Sequence, residues 1–164
     1  MTTDTDRIQK KILLRAPLAR VWRAITDSAE LGSWFGMRLD GPFAAGKAMR
    51  ATIAPTTVDP EIAAMQKPME GLPFELTVDR IEPQRLFSFR WHPHAIDPTE
   101  DVSAEEPTLV VFELEETAGG VLLTVTESGF DRIPLARRAK AFAANDHGWH
   151  LQTTMIEKYL ARAA

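Results

Sequence analysis

The chain has 164 residues, 45% apolar and 26% charged, the make-up of one folded domain rather than of a disordered or collagen-like chain. Its 19 Lys and Arg against 23 Asp and Glu leave a net charge of −4, which argues against a dedicated nucleic-acid binder, since that needs a basic face to displace counterions. There is no cysteine, which removes disulfide scaffolds, thiolate zinc sites and cysteine nucleophiles together. No run reaches the roughly 18 apolar residues of a membrane span, and the polar start Met1–Asp6 carries no secretory apolar core. The expectation is a single cytoplasmic domain over residues 1–164, frayed over residues 1–6, without a membrane or nucleic-acid partner.

Ile8, Ile12 and Leu14 alternate with Gln9, Lys11 and Arg15, the period of a half-buried strand. Pro17 then suits a first helical turn, and Leu18, Val21, Trp22 and Ile25 follow at helical spacing. Asp27, with Glu30 three residues on, resembles a capping box ahead of Leu31, Trp34 and Phe35, and Gly36 is placed to end that second helix. Strands are expected over Met37–Phe43 and Lys47–Ala54. Residues 55–72 read as an inserted loop with a short helix near Glu61–Gln66. Phe74, Leu76 and Val78, then Phe87, Phe89 and Trp91, alternate with polar residues and predict two strands joined by the Glu82–Pro83–Gln84–Arg85 turn. Residues 92–107 form a long acidic loop. Thr108–Glu116 and Val121–Ser128 form a hairpin around Gly119–Gly120. From Leu135 to Arg162 the pattern is helical: Phe142, Trp149, Ile156 and Leu160 fall in a narrow arc, and Gly148 is a local weak point.

This order gives an α+β chain: a curved antiparallel sheet of about seven strands, wrapped on one long C-terminal helix, with two short helices after the first strand. A helix only roughly 10 Å wide cannot fill the concave face it crosses. A gap between helix and sheet is expected, and small-molecule sites are concave and mostly apolar.

Five stretches carry a family resemblance. They are Ala16-Pro17-Leu18-Ala19-Arg20-Val21-Trp22-Arg23-Ala24-Ile25-Thr26, Leu31-Gly32-Ser33-Trp34-Phe35, Ile81-Glu82-Pro83-Gln84-Arg85-Leu86, Thr124-Val125-Thr126-Glu127-Ser128-Gly129-Phe130 and Gly148-Trp149. In this order the chain resembles a helix-grip domain of the START-like (SRPBCC) superfamily. More narrowly, it is similar to the family named after the C-terminal domain of the activator of Hsp90 ATPase. The resemblance implies a fold and a cavity, and no shared catalytic residue. Members of the superfamily include lipid and hormone binders, polyketide cyclases, self-sacrificing resistance proteins and chaperone cofactors, so fold alone does not fix function. The stretches 55–72 and 92–107 are longer than simple connections and could reshape a pocket mouth.

The leading expectation is a cofactor-free binding protein for a hydrophobic small molecule such as a lipid, a polyketide or an aromatic metabolite. The residues expected at the ligand are Trp34, Phe35, Phe74, Phe89, Trp91, Phe112, Phe130, Asp146, Trp149 and Thr153. Asn145 and Gln152 lie on the other edge of the Trp149 stripe. The competing expectation is a cyclase, hydrolase or isomerase using Glu127, Asp146, Arg90 or His92 for proton transfer. A third is a chaperone cofactor, as the family name implies, although the full eukaryotic activator carries a further N-terminal domain for which this chain is too short. A homodimer stays open.

His92-Pro93-His94 with Asp97, and the pair His147 and His150, lack the further convergent ligands a zinc site needs, so no metal is expected. The acids Asp97, Glu100, Asp101, Glu105 and Glu106 read as a solvated loop. No phosphate loop, dinucleotide fingerprint or nucleophile elbow is present.

Overall fold

The computed structural model describes residues 7–93 and 105–162. The expectations that concern Met1–Asp6, His94, Asp97, Glu100 and Asp101 fall outside the described residues. Seven strands form one antiparallel sheet: β1 (Arg7–Leu14), β2 (Met37–Leu39), β3 (Ala48–Ile53), β4 (Pro73–Glu82), β5 (Leu86–Trp91), β6 (Thr108–Thr117) and β7 (Gly120–Ser128). Their spatial order is β1-β7-β6-β5-β4-β3-β2. The helices are α1 (Leu18–Thr26), α2 (Ser28–Phe35), α3 (Pro60–Gln66) and α4 (Leu135–Arg162). The fold class expected from the order of elements is therefore the one observed.

Cross-strand partners share a face of a sheet. One row on the inner face runs Ile8, Glu127, Val110, Phe89 and Val78. The next runs Thr108, Trp91, Leu76 and Met49. A matching row on the outer face runs Arg7, Ser128, Leu109 and Arg90. The inner face is covered by α4, so apolar side chains on that face are removed from water while their neighbours on the other face meet solvent. Phe87, Phe89, Phe112 and Val110 are all at or below 1% exposure and form the centre of the core.

Local chemistry sets the helix ends. Pro17 stands at the N-cap of α1, one position before the first turn where the sequence placed it. The Asp27 carboxylate accepts from the Glu30 backbone N–H at 3.0 Å, as a capping residue does. Gly36 closes α2 at φ 100, a left-handed conformation that glycine adopts without a Cβ clash. β2 is shorter than the expected Met37–Phe43: the Asp40 N–H still bonds the Arg50 carbonyl at 3.1 Å, and the chain then leaves the sheet at Gly41–Pro42. The insertion 55–72 contains α3 and a 3-10 turn, Lys67–Met69. Asp59 caps α3 by accepting from the Glu61 and Ile62 N–H groups at 2.9 and 3.1 Å, and it also pairs with Lys158 of α4. The Lys158 bond, and then the Ile62 N–H, hold the Asp59 carboxyl below the usual carboxylate range.

The two short helices are tied to α4 by one carboxylate. Glu30 receives Arg20 at 2.8 Å, Arg23 at 2.7 Å and the Tyr159 hydroxyl at 2.7 Å. Burial, and then this bond to Glu30, raise the Tyr159 phenol above its ordinary value. The Trp34 indole donates to the Ala24 carbonyl at 2.9 Å, which fixes α2 against α1.

Gly32 is required by packing. A Cβ there would lie 2.3 Å from the Met37 carbonyl oxygen, a backbone atom that cannot turn aside. Alanine is the better helix former by roughly 0.5–1 kcal/mol, but overpacking costs about 1–3 kcal/mol. Gly32→Ala is therefore expected to lower the melting temperature by roughly 2–8 °C, read by far-UV circular dichroism. An unchanged or raised melting temperature would contradict this packing.

Candidate functional site

The alternation Val121, Leu123, Val125 on β7 carries on to Glu127, so the register puts a carboxylate on the inner face. Glu127 is fully buried. A buried carboxylate must be compensated by hydrogen bonds or by a cation. Here the compensation is four donors. Oε1 accepts from Asn145 Nδ2 at 2.8 Å and from Trp149 Nε1 at 2.8 Å. Oε2 accepts from Trp91 Nε1 at 2.8 Å and from the Thr108 hydroxyl at 2.6 Å. These donors come from β5, β6 and α4, so one side chain joins the long helix to the middle of the sheet. Around it, Trp149 packs at ring-centroid distances of 5.8 Å from Trp91, Phe112 and Phe35.

This aromatic cluster fills the centre of the concave face. The open space lies beside it, toward β3 and β4. A cavity of about 300 Å³ is lined by Phe35, Phe74, Trp91 and Ile53 on one side and by Asn145, Gly148 and Gln152 of α4 on the other. Met69, Pro93 and His92 complete the wall. A smaller extension of about 80 Å³ reaches the Trp149 ring. A larger groove of about 640 Å³ runs along the β2–β3–β4 end, but Arg38, Asp40, Arg50 and Glu75 line it, and it has none of the helix-over-sheet enclosure. Its charged rim suits water better than an apolar ligand.

An ion pair stands behind the Pro93 part of the cavity wall. Arg137 of α4 meets the Glu105 carboxylate at 2.8 and 3.1 Å and also donates to the Pro93 carbonyl at 3.0 Å. Both side chains are 10% exposed, so the pair is largely desolvated and its two-pronged geometry matters. His92 Nε2 donates to the Glu105 carbonyl at 2.8 Å. The two ends of the 92–107 connection are thus fastened together beside the cavity. Glu105, expected as part of a solvated acidic loop, is a largely buried ion-pair member instead, because Arg137 reaches it from the helix.

Of the residues expected at the ligand, Phe35, Phe74 and Trp91 stand on the main cavity wall and Trp149 on its small extension. Trp34, Phe89, Phe112 and Phe130 are fully buried core residues away from both walls. Asp146 points to the β1 side, where Lys10 pairs with it at 2.9 Å. The Thr153 hydroxyl donates to the His150 carbonyl of its own helix at 2.9 Å. The proton-transfer candidates do not converge. Arg90 is on the outer face, Asp146 is ion-paired with Lys10, and His92 is tied to Glu105. Both Glu127 oxygens already hold two donors each, which uses the lone pairs of a carboxylate. His147 and His150 are exposed, and no metal-binding cluster occurs among the described residues.

The sequence reading did not single out Ile53, Met69 or Ala144 for the wall. Met69 sits in the 55–72 insertion, where no periodicity announces which side chain turns inward. The sequence marks Gly148 as a weak point in a helix and as part of the Gly148-Trp149 stretch, but not as a wall residue. Glu127 is given no face by the sequence reading; the alternation of Val121, Leu123 and Val125 is the signal that places it inward.

Glu127→Gln replaces one acceptor oxygen by an NH2 group that faces donors. This is expected to cost about 2–3 kcal/mol, or roughly 4–12 °C in melting temperature. The indole N–H resonances of Trp91 and Trp149 should move with it in a 15N-correlated spectrum. Unmoved indole signals and an unchanged melting temperature would show that the carboxylate does not join helix to sheet.

Comparison with known proteins comes to the same frame. No curated protein matches the chain. Among solved structures, DynU16, a putative protein in the dynemicin biosynthetic locus, is 24% identical with a TM-score of 0.66, covering 95% of this chain and 47% of that one. This chain therefore spans about half the length of DynU16. Protein MLL2253 from Mesorhizobium loti is 21% identical, with a TM-score of 0.70 and 96% and 98% of the two chains covered. Protein NE0264 from Nitrosomonas europaea is 17% identical, with a TM-score of 0.68 and 100% and 99% covered. At these identities the likeness is one of fold alone. The family model for the Activator of Hsp90 ATPase homolog 1-like protein matches residues 15–161, and the chain belongs to that family.

Proposed function

We propose that the chain binds an apolar small molecule, without covalent chemistry, in the cavity between α4 and the β3–β5 part of the sheet. The observation that supports this best is Gly148. It lies in the middle of a 28-residue helix, where glycine costs roughly 0.5–1 kcal/mol relative to alanine. A Cβ built there meets nothing within 4 Å, so no neighbour requires its absence. What the missing side chain leaves is room, and that room belongs to the cavity. A ligand lying against α4 would use it, because glycine allows close approach to the helix backbone.

The wall chemistry agrees. Phe35, Phe74, Trp91 and Ile53 offer apolar surface, worth about 25 cal/mol per Å² buried, less the cost of ordering the ligand. The Glu127 carboxylate is already fully engaged, which leaves the site as a container with a rigid floor. This favours binding over the proton-transfer readings.

The test uses 2-methylnaphthalene as an uncharged bicyclic probe. It should shift the Trp91 and Trp149 indole signals of the wild-type protein. Gly148→Ala should raise the melting temperature by roughly 1–4 °C and weaken the probe by about threefold or more, since a methyl group enters its space. A variant that is stabilised yet binds the probe unchanged would remove Gly148 from the site. A wild-type protein whose indoles do not respond would remove the site itself.

A further inference from the structure

Gln152 follows Gly148 by one helical turn, so both lie on the same face of α4 and both line the cavity. Its Nε2 donates to the Phe35 carbonyl at 2.9 Å. That bond settles which way the amide points. Turned over, it would set Oε1 against the carbonyl oxygen, two acceptors face to face. Oε1 is therefore held as an acceptor on the other side. It is the only buried side-chain polar atom among the described residues that has no hydrogen-bond partner. An acceptor in that condition costs about 1–3 kcal/mol, in a core where even Glu127 is fully paired.

The surroundings supply no partner. Phe35, Phe74 and Ile53 carry no side-chain donor, and the Trp91 indole N–H is committed to Glu127 Oε2. One N–H of the Asn145 amide is committed to Glu127 Oε1, and the other makes no hydrogen bond to Gln152 Oε1. Bulk water does not reach Oε1 either. A donor must therefore arrive with whatever fills the cavity. Gln152 is half-buried and lines the cavity, so a turn of its amide is the motion that would present Oε1 to a ligand there. The Phe35 carbonyl stays paired meanwhile, because Gln66 Nε2 also donates to it, at 3.2 Å.

We propose that the cavity selects a flat aromatic ligand carrying a hydroxyl or N–H donor, and that Gln152 Oε1 accepts that hydrogen bond. The aromatic frame follows from the rings of Phe35, Phe74 and Trp91 facing the bare helix backbone at Gly148. Size follows from the volume: about 300 Å³ is at the small end for a ligand site and suits a compact ring system. This inference rests on reading the cavity as a small-molecule site.

The experiment compares 2-naphthol with 2-methylnaphthalene, which have the same frame and nearly the same shape, one with a donor and one without. Affinities are measured by titration, following the Trp91 and Trp149 indole signals. Wild-type protein is expected to bind 2-naphthol tighter by about tenfold, the value of one relieved acceptor. In Gln152→Met the order should reverse, because the naphthol hydroxyl then enters an apolar pocket unpaired. Equal binding of the two probes by wild-type protein, or the same preference in Gln152→Met, overturns the inference while 2-methylnaphthalene binding still supports the cavity. Failure of both probes overturns the inference together with the reading it rests on. Should Gln152→Met not fold, the wild-type pair decides alone.

Discussion

A carboxylate buried from solvent, with no cation paired to it among the described residues, needs every lone pair filled, and that requirement organises this protein. Glu127 satisfies it with two indoles, an amide and a hydroxyl drawn from three separate elements. None of these donors can move far without leaving a buried charge under-solvated, which is among the more expensive defects a core can carry. The demand therefore runs in both directions. The donors hold the carboxylate, and the carboxylate fixes the ring planes of Trp91 and Trp149 and the rotation of α4 about its axis. Hydrophobic burial alone would hold the helix on the sheet but would tolerate sliding and turning, since it has no direction. The hydrogen bonds remove that freedom.

Fixing the rotation of α4 decides what the rest of its length does. With Trp149 aimed at Glu127, the residues one position before and three after it, Gly148 and Gln152, are turned toward β3 and β4. The ring cluster fills the middle of the concave face, so the hollow that a single helix leaves over a curved sheet is displaced to one side. There it gains walls from the two insertions. Met69 comes from residues 55–72, and His92 and Pro93 from the start of residues 92–107. The Arg137–Glu105 pair keeps the second insertion closed at its base.

The fold was readable because its signals are periodic and local. Strand alternation, the Asp27 cap, Gly36 and the helical arc of Phe142, Trp149, Ile156 and Leu160 each state one element, and the order of elements states the sheet. The site was readable only where periodicity reached it. Phe35, Phe74, Trp91 and Trp149 reach the cavity wall because they fall on elements that must face inward. The same rule turns Trp34, Phe89, Phe112 and Phe130 inward, where they are buried in the core away from the cavity walls: direction can be read from a period, whereas the difference between a filled and an empty interior depends on how side chains from distant elements meet. Asp146 and Thr153 went to helix-edge partners for a related reason. A polar group beside an apolar stripe takes the nearest charge or carbonyl, here Lys10 and His150. Met69 carried no signal at all, since an irregular insertion has no period to read.

Two glycines, each inside a helix, show how structural and functional reasons for the same residue can be told apart. Gly32 is pressed against the Met37 carbonyl, so its missing side chain is a condition of the packing between α2 and β2. Gly148 faces nothing, so its missing side chain answers to no part of the chain itself. A folded chain is only marginally stable, and a helix interior that accepts glycine without a packing reason sacrifices stability that alanine would have kept. The unpaired Oε1 of Gln152, one turn further along, is a second sacrifice of the same kind at the same place. Either alone would be an irregularity. Their occurrence on one face of one helix, over one cavity, makes this the least optimised part of an otherwise well-satisfied core, and that concentration is the physical ground for the proposal that the cavity binds a ligand.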